Sequence, residues 1–478
     1  MKHGKKTILV LTVAGWILVG AACGKEAKEQ EPTPTVPPTA VPTQEPTPDP
    51  TPVPTEPPRD LGGLEVVLCD TYSGDNWDTA YNSYLETFYD MFHKAEQEHN
   101  FKFKRKGIGG WGDQYADAVS LSIIDDKPLG YIFSMDSRFI SSFVTKGLAL
   151  DVSQAKSVNW DDDKWNQGVL EVMKVNGGTY GFSCDRSGGA GLWINKDLLR
   201  QLNVDPNLIY DLQKEGQWSW EKFLELCGSL TKDTNNDGKY DIWAVCGQEY
   251  QIVYSALLSN GTFVINKNEA GLLSVNADDP AVAEAMDFIQ KLKDSEYLMK
   301  KKKDDSWDWY RAAFNNGQAV MRIETLSGLS GEQYGLGFEY GFVTFPYGPK
   351  AGKNVNAEYL ATIYFVPNTT ATKEKMDDIM YVYNWYTTEP DGSSTPTFDK
   401  WKNTYSGWFK EGDRSLSETL STLFIDCETV MPATTLIPDF LNDSWTMDLI
   451  NGKSYQDVLS TSTPRWEGQV NIFNNQFK

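Results

Sequence analysis

From Leu64 onward, short apolar runs alternate with stretches in which apolar residues recur every three or four positions. Leu64–Cys69 reads as a strand, and Asp78 to about Glu98 as a helix. In Phe101–Ile108, apolar and basic residues alternate with the period of a half-buried strand. Gly109-Gly110 breaks that pattern, and Asp113–Ile124 predicts the next helix. Leu129–Phe133 predicts a third strand and Ser137–Lys146 a third helix. Such alternation favours parallel sheets with helical crossovers, and so an α/β fold. Ligands of such sheets gather beyond the carboxyl ends of the strands. Here those loops are Asp70–Trp77, Gly109–Gly112 and Met135–Ser137. Farther along, Ser219 predicts an N-cap for a helix with Phe223, Leu226, Cys227 and Leu230 on one face. Asp279-Pro280 predicts another start, ahead of Val282, Ala285, Met286, Ile289 and Leu292. Lys300–Lys303 reads as a solvated helix end.

Before Leu64 the pattern is of another kind. Lys2, His3, Lys5 and Lys6 precede an apolar run from Thr7 to Val19, as in a secretory leader. The run is short for a membrane-spanning helix, which wants about 20 apolar residues. It ends in Gly20-Ala21-Ala22-Cys23, which resembles a bacterial lipoprotein signal-peptidase site with Cys23 as the lipidated residue. That reading gives residues 1–22 as the leader and anchors the chain on the outer face of a membrane. A plain secretory cleavage, or an uncleaved anchor, is the alternative. Between Glu31 and Pro58, twelve prolines alternate largely with threonine. Proline fixes φ and removes the backbone donor, so the tract is an extended spacer of ~90 Å at most. Residues 23–60 therefore read as anchor and stalk, with a recognition tract or glycosylated linker as the alternative.

Composition removes several functions. The 478 residues carry 44 Lys and Arg against 66 Asp and Glu, a net charge of −22, which argues against a nucleic-acid partner. Of three histidines only His93 and His99 lie beyond the leader, so a His-rich metal centre is excluded. No GxSxG, HExxH or GxxxxGK[ST] motif occurs, which argues against an enzyme. The aromatic content of 13% points instead to binding through ring surfaces. Cys69, Cys184, Cys227, Cys246 and Cys427 are widely spaced and odd in number, which reads as buried thiols rather than a disulfide framework. Asp233, Asn235, Asp237, Lys239 and Asp241, with Gly238 at position 6, form a candidate calcium loop of EF-hand type. Position 12 is Ala244 where a bidentate Glu is needed, so an Asx-rich turn without metal is the competing reading. No cofactor is otherwise required.

Four stretches, in order, carry a resemblance. They are Lys146–Val152; Asn176–Leu199 with Gly178-Thr179-Tyr180-Gly181 and Trp193-Ile194-Asn195-Lys196-Asp197; Trp218–Asp241; and Ala313–Met321. Together they resemble the family 1 extracellular solute-binding proteins of ABC importers, a class that includes maltodextrin- and other sugar-binding proteins. The resemblance implies a two-lobed, periplasmic-binding-protein-like fold of the class II type, with a ligand cleft between lobes. It places crossings near residues 183, 346 and 390. The first lobe would then hold 61–183 and 347–390, and the second 184–346 and 391–478. It implies a monomer that binds a carbohydrate, closes by hinge bending, and delivers its ligand to ABC permease subunits in the membrane. Sugars present C–H faces that stack on rings and hydroxyls that need planar polar groups. The candidate ligand residues are Trp77 and Trp111 in glycine-flanked loops, Asp136 after the third strand, Arg186 near the first crossing, Tyr250, and Glu324 at a strand end. For each aromatic the competing reading is core packing. Two other functions fit the same residues: a surface glycan adhesin without transport, and a glycoside-active enzyme using a carboxylate pair.

Overall fold

The computed structural model describes residues 59–477, apart from 75, 187–188, 333–334, 393–401, 403, 411–412, 422–426, 439 and 443. The leader, Cys23 and the Pro/Thr tract lie outside the described residues. Among the described residues, ten strands build two main sheets. In chain order they are β1 (Leu64–Asp70), β2 (Phe101–Gly107), β3 (Ile132–Asp136), β4 (Gly189–Asn195), β5 (Trp243–Gly247), β6 (Ala319–Thr325), β7 (Tyr340–Thr344), β8 (Asn356–Glu358), β9 (Thr362–Phe365) and β10 (Thr429–Val430). The first sheet has the order β9-β3-β1-β2, with β1 parallel to both neighbours and β9 antiparallel to β3. In the second, β4 is central and buried along its whole length. It pairs with β6 on one edge and with β7 and then β8 on the other. Gly191 makes that pairing possible, because a Cβ there would stand 2.0 Å from the Val343 carbonyl oxygen.

Local chemistry sets most element boundaries. The helix after β1 is Ser83–Glu98, starting later than its apolar pattern, because the Asn82 side chain accepts from the Leu85 N–H at 2.9 Å and caps it. Its buried Phe88, Phe92 and Ala95 pack on Phe101 and Phe103 of β2. The helices capped by Ser219 and Asp279 are Trp220–Leu230 and Pro280–Asp294, as the sequence predicts. The second ends at Asp294, so Lys300–Lys303 stand in the exposed loop beyond it rather than at a helix end.

The third strand lies three residues later than its apolar run predicts. Pairing of Ile132 and Phe133 with Leu68 and Cys69 fixes its register. Gly130 is pressed against Cys69, where a Cβ would meet the thiol at 2.7 Å. Asp136 is thus the last residue of β3, and the next helix begins only at Ile140. Cys69, Cys227 and Cys246 are buried, and burial pushes the Cys246 thiol up to about 12.

The chain passes from the first sheet to the second between Phe182 and Gly189. It returns between Glu358 and Thr362, and not near residue 346, because β8 still pairs with the central strand through Ala357 and Ala190. Residues 347–358 accordingly stay with the second lobe, where Gly348 N–H donates to the Ser259 carbonyl at 2.8 Å. These first two crossing segments lie side by side; the chain passes to the second lobe again after Tyr386, in a stretch that lies partly outside the described residues. On the first lobe Phe182 and Tyr364 exchange backbone hydrogen bonds of 2.9 and 2.8 Å; on the second, Glu358 faces Gly189. The helix Met376–Tyr386 then packs Ile379, Met380, Val382 and Tyr383 into the first lobe's core.

Candidate ligand-binding site

At the carboxyl ends of the first lobe's strands lies a hollow of about 180 Å³. Thr71, Trp111, Ser134, Asp136, Phe139 and Thr362 are among the residues that line it. Gly109, Gly110 and Gly112 hold φ of +73°, +75° and +61°, left-handed values that a side chain resists. They fold the chain into a tight loop that displays Trp111, 57% exposed. The Arg138 guanidinium lies 5.0 Å from the centre of the indole and covers one face of it. Arg138 is in turn held by Asp136, with Nε donating to Oδ1 at 2.9 Å and Nη2 to Oδ2 at 2.7 Å. That bidentate bond, followed by the Asp136 charge, raises the arginine above its ordinary pKa. At the neighbouring strand end, Asp70 accepts from the Tyr72 and Ser73 N–H groups, the Ser73 hydroxyl and Arg105. Burial works to raise its pKa, but the Ser73 and Arg105 bonds outweigh burial and hold the carboxyl below its ordinary value.

The second lobe contributes a buried hub around Glu324. Its Oε1 accepts from Gln251 Nε2 at 2.6 Å, and its Oε2 from the Tyr310 hydroxyl at 2.8 Å and Arg311 Nη2 at 3.4 Å. Arg311 also meets Glu332 at 3.3 Å, and the fully buried Arg322 meets Glu332 at 3.0 Å. Above this hub Trp307, 63% exposed, rests on the Arg311 guanidinium at 5.7 Å. Tyr250 lies at the start of the helix Glu249–Ser259. Burial first, and then the Glu324 charge, raise its phenol pKa, while Arg138 of the first lobe opposes them. Each lobe thus carries an exposed indole backed by an arginine, Trp111 with Arg138 on the first and Trp307 with Arg311 on the second.

Of the residues nominated from sequence, Trp111 and Asp136 line the first-lobe hollow, while Tyr250 and Glu324 belong to the second lobe, not all in the roles expected. Glu324 is buried and saturated by its own donors, so it organises its neighbours. Tyr250 packs edge-on against Tyr254 and Tyr359 at 6.2 and 5.8 Å. Trp77 is a correction. Its ring is enclosed by Tyr89, Phe103, Tyr386 and Phe92, with centroids 5.4 to 6.4 Å away, and is a packing residue of the first lobe. Arg186 sits in the first crossing, where its guanidinium donates to the carbonyls of Asp163 and Trp165. Burial lowers its pKa. Arg138 and Trp307 went unnoticed in the sequence. A basic residue two after Asp136, and the cluster Trp307-Asp308-Trp309-Tyr310-Arg311, were the signals available.

The acidic loop is stitched to itself. Asp233 accepts from the Asp237 and Gly238 N–H groups, Asn235 from Asp237, Asp237 from Lys239, and Asp241 from Thr234 and Asn235. Asn236 and Gly238 take left-handed φ, as in an Asx-rich turn. Ala244, at position 12, is buried in β5, so the donor set does not complete a calcium shell. Among the described residues no group of three or more His, Cys, Asp or Glu could hold a metal.

Two α/β lobes joined by paired crossings, with aromatic and polar groups meeting at strand ends, define a two-lobed solute-binding protein. The chain belongs to the bacterial extracellular solute-binding protein family, whose model matches residues 78–392. No curated protein matches it. Among solved structures, it is similar to a cyclic α-maltosyl-1,6-maltose binding protein from Arthrobacter globiformis at 16% identity and a TM-score of 0.59, over 87% of this chain and 100% of that one. The galacto-N-biose-/lacto-N-biose I-binding protein of an ABC transporter from Bifidobacterium longum, in complex with lacto-N-biose, matches at 14% and 0.57, over 87% and 99%. An ABC substrate-binding protein from Listeria monocytogenes, in complex with cycloalternan, matches at 17% and 0.54, over 87% and 100%. Among the described residues no helix is long and apolar enough to cross a membrane.

Proposed function

We propose that this chain is the carbohydrate-binding component of an ABC importer, held on the outer face of a bacterial membrane by a lipid on Cys23. The observation that carries the sugar reading is Trp111. It is an exposed indole fixed by glycine geometry and backed by Arg138, beside a hollow at the strand ends. An indole face takes the C–H patch of a pyranose, and the polar groups alongside take its hydroxyls. The hollow is smaller than the ~300–1,000 Å³ that encloses a whole ligand, so the second lobe must cover the rest on closing. The three similar structures bind a cyclic maltosyl-maltose, lacto-N-biose and cycloalternan, which favours an oligosaccharide. The protein acts as a monomer, binds without cleaving, and needs no calcium.

A calorimetric screen of the mature chain over mono- and oligosaccharides tests the reading. At least one oligosaccharide should bind, unchanged by EDTA, with no new product on incubation and a smaller radius of gyration at saturation. Binding of none would end the sugar reading. Metabolic labelling with a palmitate analogue should mark the native chain and not Cys23→Ser, and equal labelling of both would end the anchor.

A further inference from the structure

The arginines of the site carry information about the charge of what binds. Arg105 meets Asp70 at 2.5 Å, Arg138 meets Asp136 at 2.7 Å, and Arg311 and Arg322 meet Glu324 and Glu332 at 3.0 to 3.4 Å. Four guanidiniums thus face four carboxylates, and the charges cancel within the protein. Arg186 is turned to backbone carbonyls in the crossing.

We infer that the site is built for an uncharged oligosaccharide and that Asp136, by neutralising Arg138, is the residue that excludes anionic glycans such as uronides. This rests on the carbohydrate reading above.

A uronate entering beside Trp111 would meet an arginine whose Nε and Nη2 are already committed to Asp136. It would have to displace that carboxylate or be desolvated beside it, and like charges brought together out of water are strongly disfavoured. The chain's net charge of −22 adds a longer-range repulsion. A cationic amino sugar fares no better, since Asp136, Glu324 and Glu332 each have an arginine already. An uncharged sugar meets none of these costs. The Nη1 side of Arg138 remains to donate to a hydroxyl, and a guanidinium presents five N–H groups in all. The indoles of Trp111 and Trp307 attract C–H faces whatever the ionic state of the rest.

The test is calorimetry on the mature chain with two sets of probes. The neutral set is maltotetraose, cellotetraose, mannotetraose and lacto-N-biose; the acidic set is tetragalacturonate and tetramannuronate. At least one neutral probe should bind, and both acidic probes about a hundredfold or more weaker, since each 1.4 kcal/mol of uncompensated charge is tenfold. The affinity for the neutral probe should stay flat between about 50 and about 500 mM salt, a range over which screening changes severalfold. In Asp136→Asn, checked for an intact melting transition, the gap between neutral and acidic probes should narrow at least about tenfold. An acidic probe that binds the native chain as tightly as any neutral one overturns the inference and leaves the carbohydrate reading standing. A neutral affinity that falls steeply with salt also overturns it. A folded Asp136→Asn with the gap unchanged removes Asp136 as the determinant. If no probe of either set binds, the carbohydrate reading itself falls, and the inference with it. Should Asp136→Asn fail to fold, the native comparison and the salt series decide.

Discussion

Trp77 and Trp111 each follow a strand of the first lobe in a loop that contains glycine, yet the fold uses them in opposite ways. Trp77 is gripped by four aromatic rings, and its carbonyl accepts from the Tyr89 hydroxyl at 3.1 Å. Trp111 has more than half its surface in solvent and is covered by Arg138 on one face. The first loop is pinned by a carboxylate, Asp70, whose oxygens accept from Tyr72 and Ser73. The second is shaped by three left-handed glycines. The pair teaches that a tryptophan beyond a strand end stays exposed when its loop gets its shape from backbone conformation. Where rings from a neighbouring helix can reach it, it becomes core. The helix Met376–Tyr386 supplies one of those rings from far along the chain.

The contrast is open to direct attack. The largest effect should come from Trp77→Ala, which removes a ring from a four-ring enclosure and leaves a cavity. A loss of about 3 kcal/mol in chemical denaturation is expected, with ligand affinity in the folded fraction little changed. Trp111→Ala should do the reverse. Affinity for the bound oligosaccharide should fall at least about tenfold, up to ~2 kcal/mol, with the unliganded melting temperature nearly constant. Exchange of these two outcomes would invert the assignment of the loops. Gly110→Ala should act more mildly. It puts a side chain at a φ of +75° and a Cβ 3.2 Å from that of Gln114, so about 1 kcal/mol of strain should appear as weaker binding through a displaced Trp111.

The smallest effect is a pH dependence that should touch one loop and not the other. The folded-state pKa of Asp70 lies below its ordinary 3.8, so its contribution is present above that value and is lost as pH falls through the lower folded one. Asp279, lowered to about 2 chiefly by the Ala281 N–H it caps, follows the same sign. Stability should therefore be level above about pH 5 and decline between about pH 4 and about pH 2. Hydrogen exchange in that window should rise at Tyr72 and Ser73 before it rises at Gly110–Gly112. Simultaneous loosening of both loops would show that Asp70 is not a local anchor.

How much of this was legible in the chain depends on the reach of each interaction. The caps of Ser219 and Asp279 act over two or three residues, and both helices start where the sequence places them. The glycine loop around Trp111 was visible for the same reason. The third strand was misplaced because its register is set by β1, more than sixty residues earlier, through Leu68 and Ile132. The return crossing was placed too early because β8 is only three residues long and is held by Ala190, far away in sequence. The hub around Glu324 needs its own strand, the helix that carries Gln251 and the helix that carries Tyr310 and Arg311 brought together. Sequence could nominate Glu324 but not show that its oxygens were already taken. Trp307 lacked a strand end or a glycine to mark it, and only its place above Arg311 gives it meaning.

The adjoining crossings have a mechanical consequence. Each is anchored to the other at both ends, through Phe182 with Tyr364 and through Gly189 with Glu358. Such a band, two strands wide, is compliant about an axis lying across it. It is stiff against shear in its own plane, because sliding one ply past the other would break backbone hydrogen bonds at both anchors. This pair of crossings therefore resists such sliding more than it resists bending across the band.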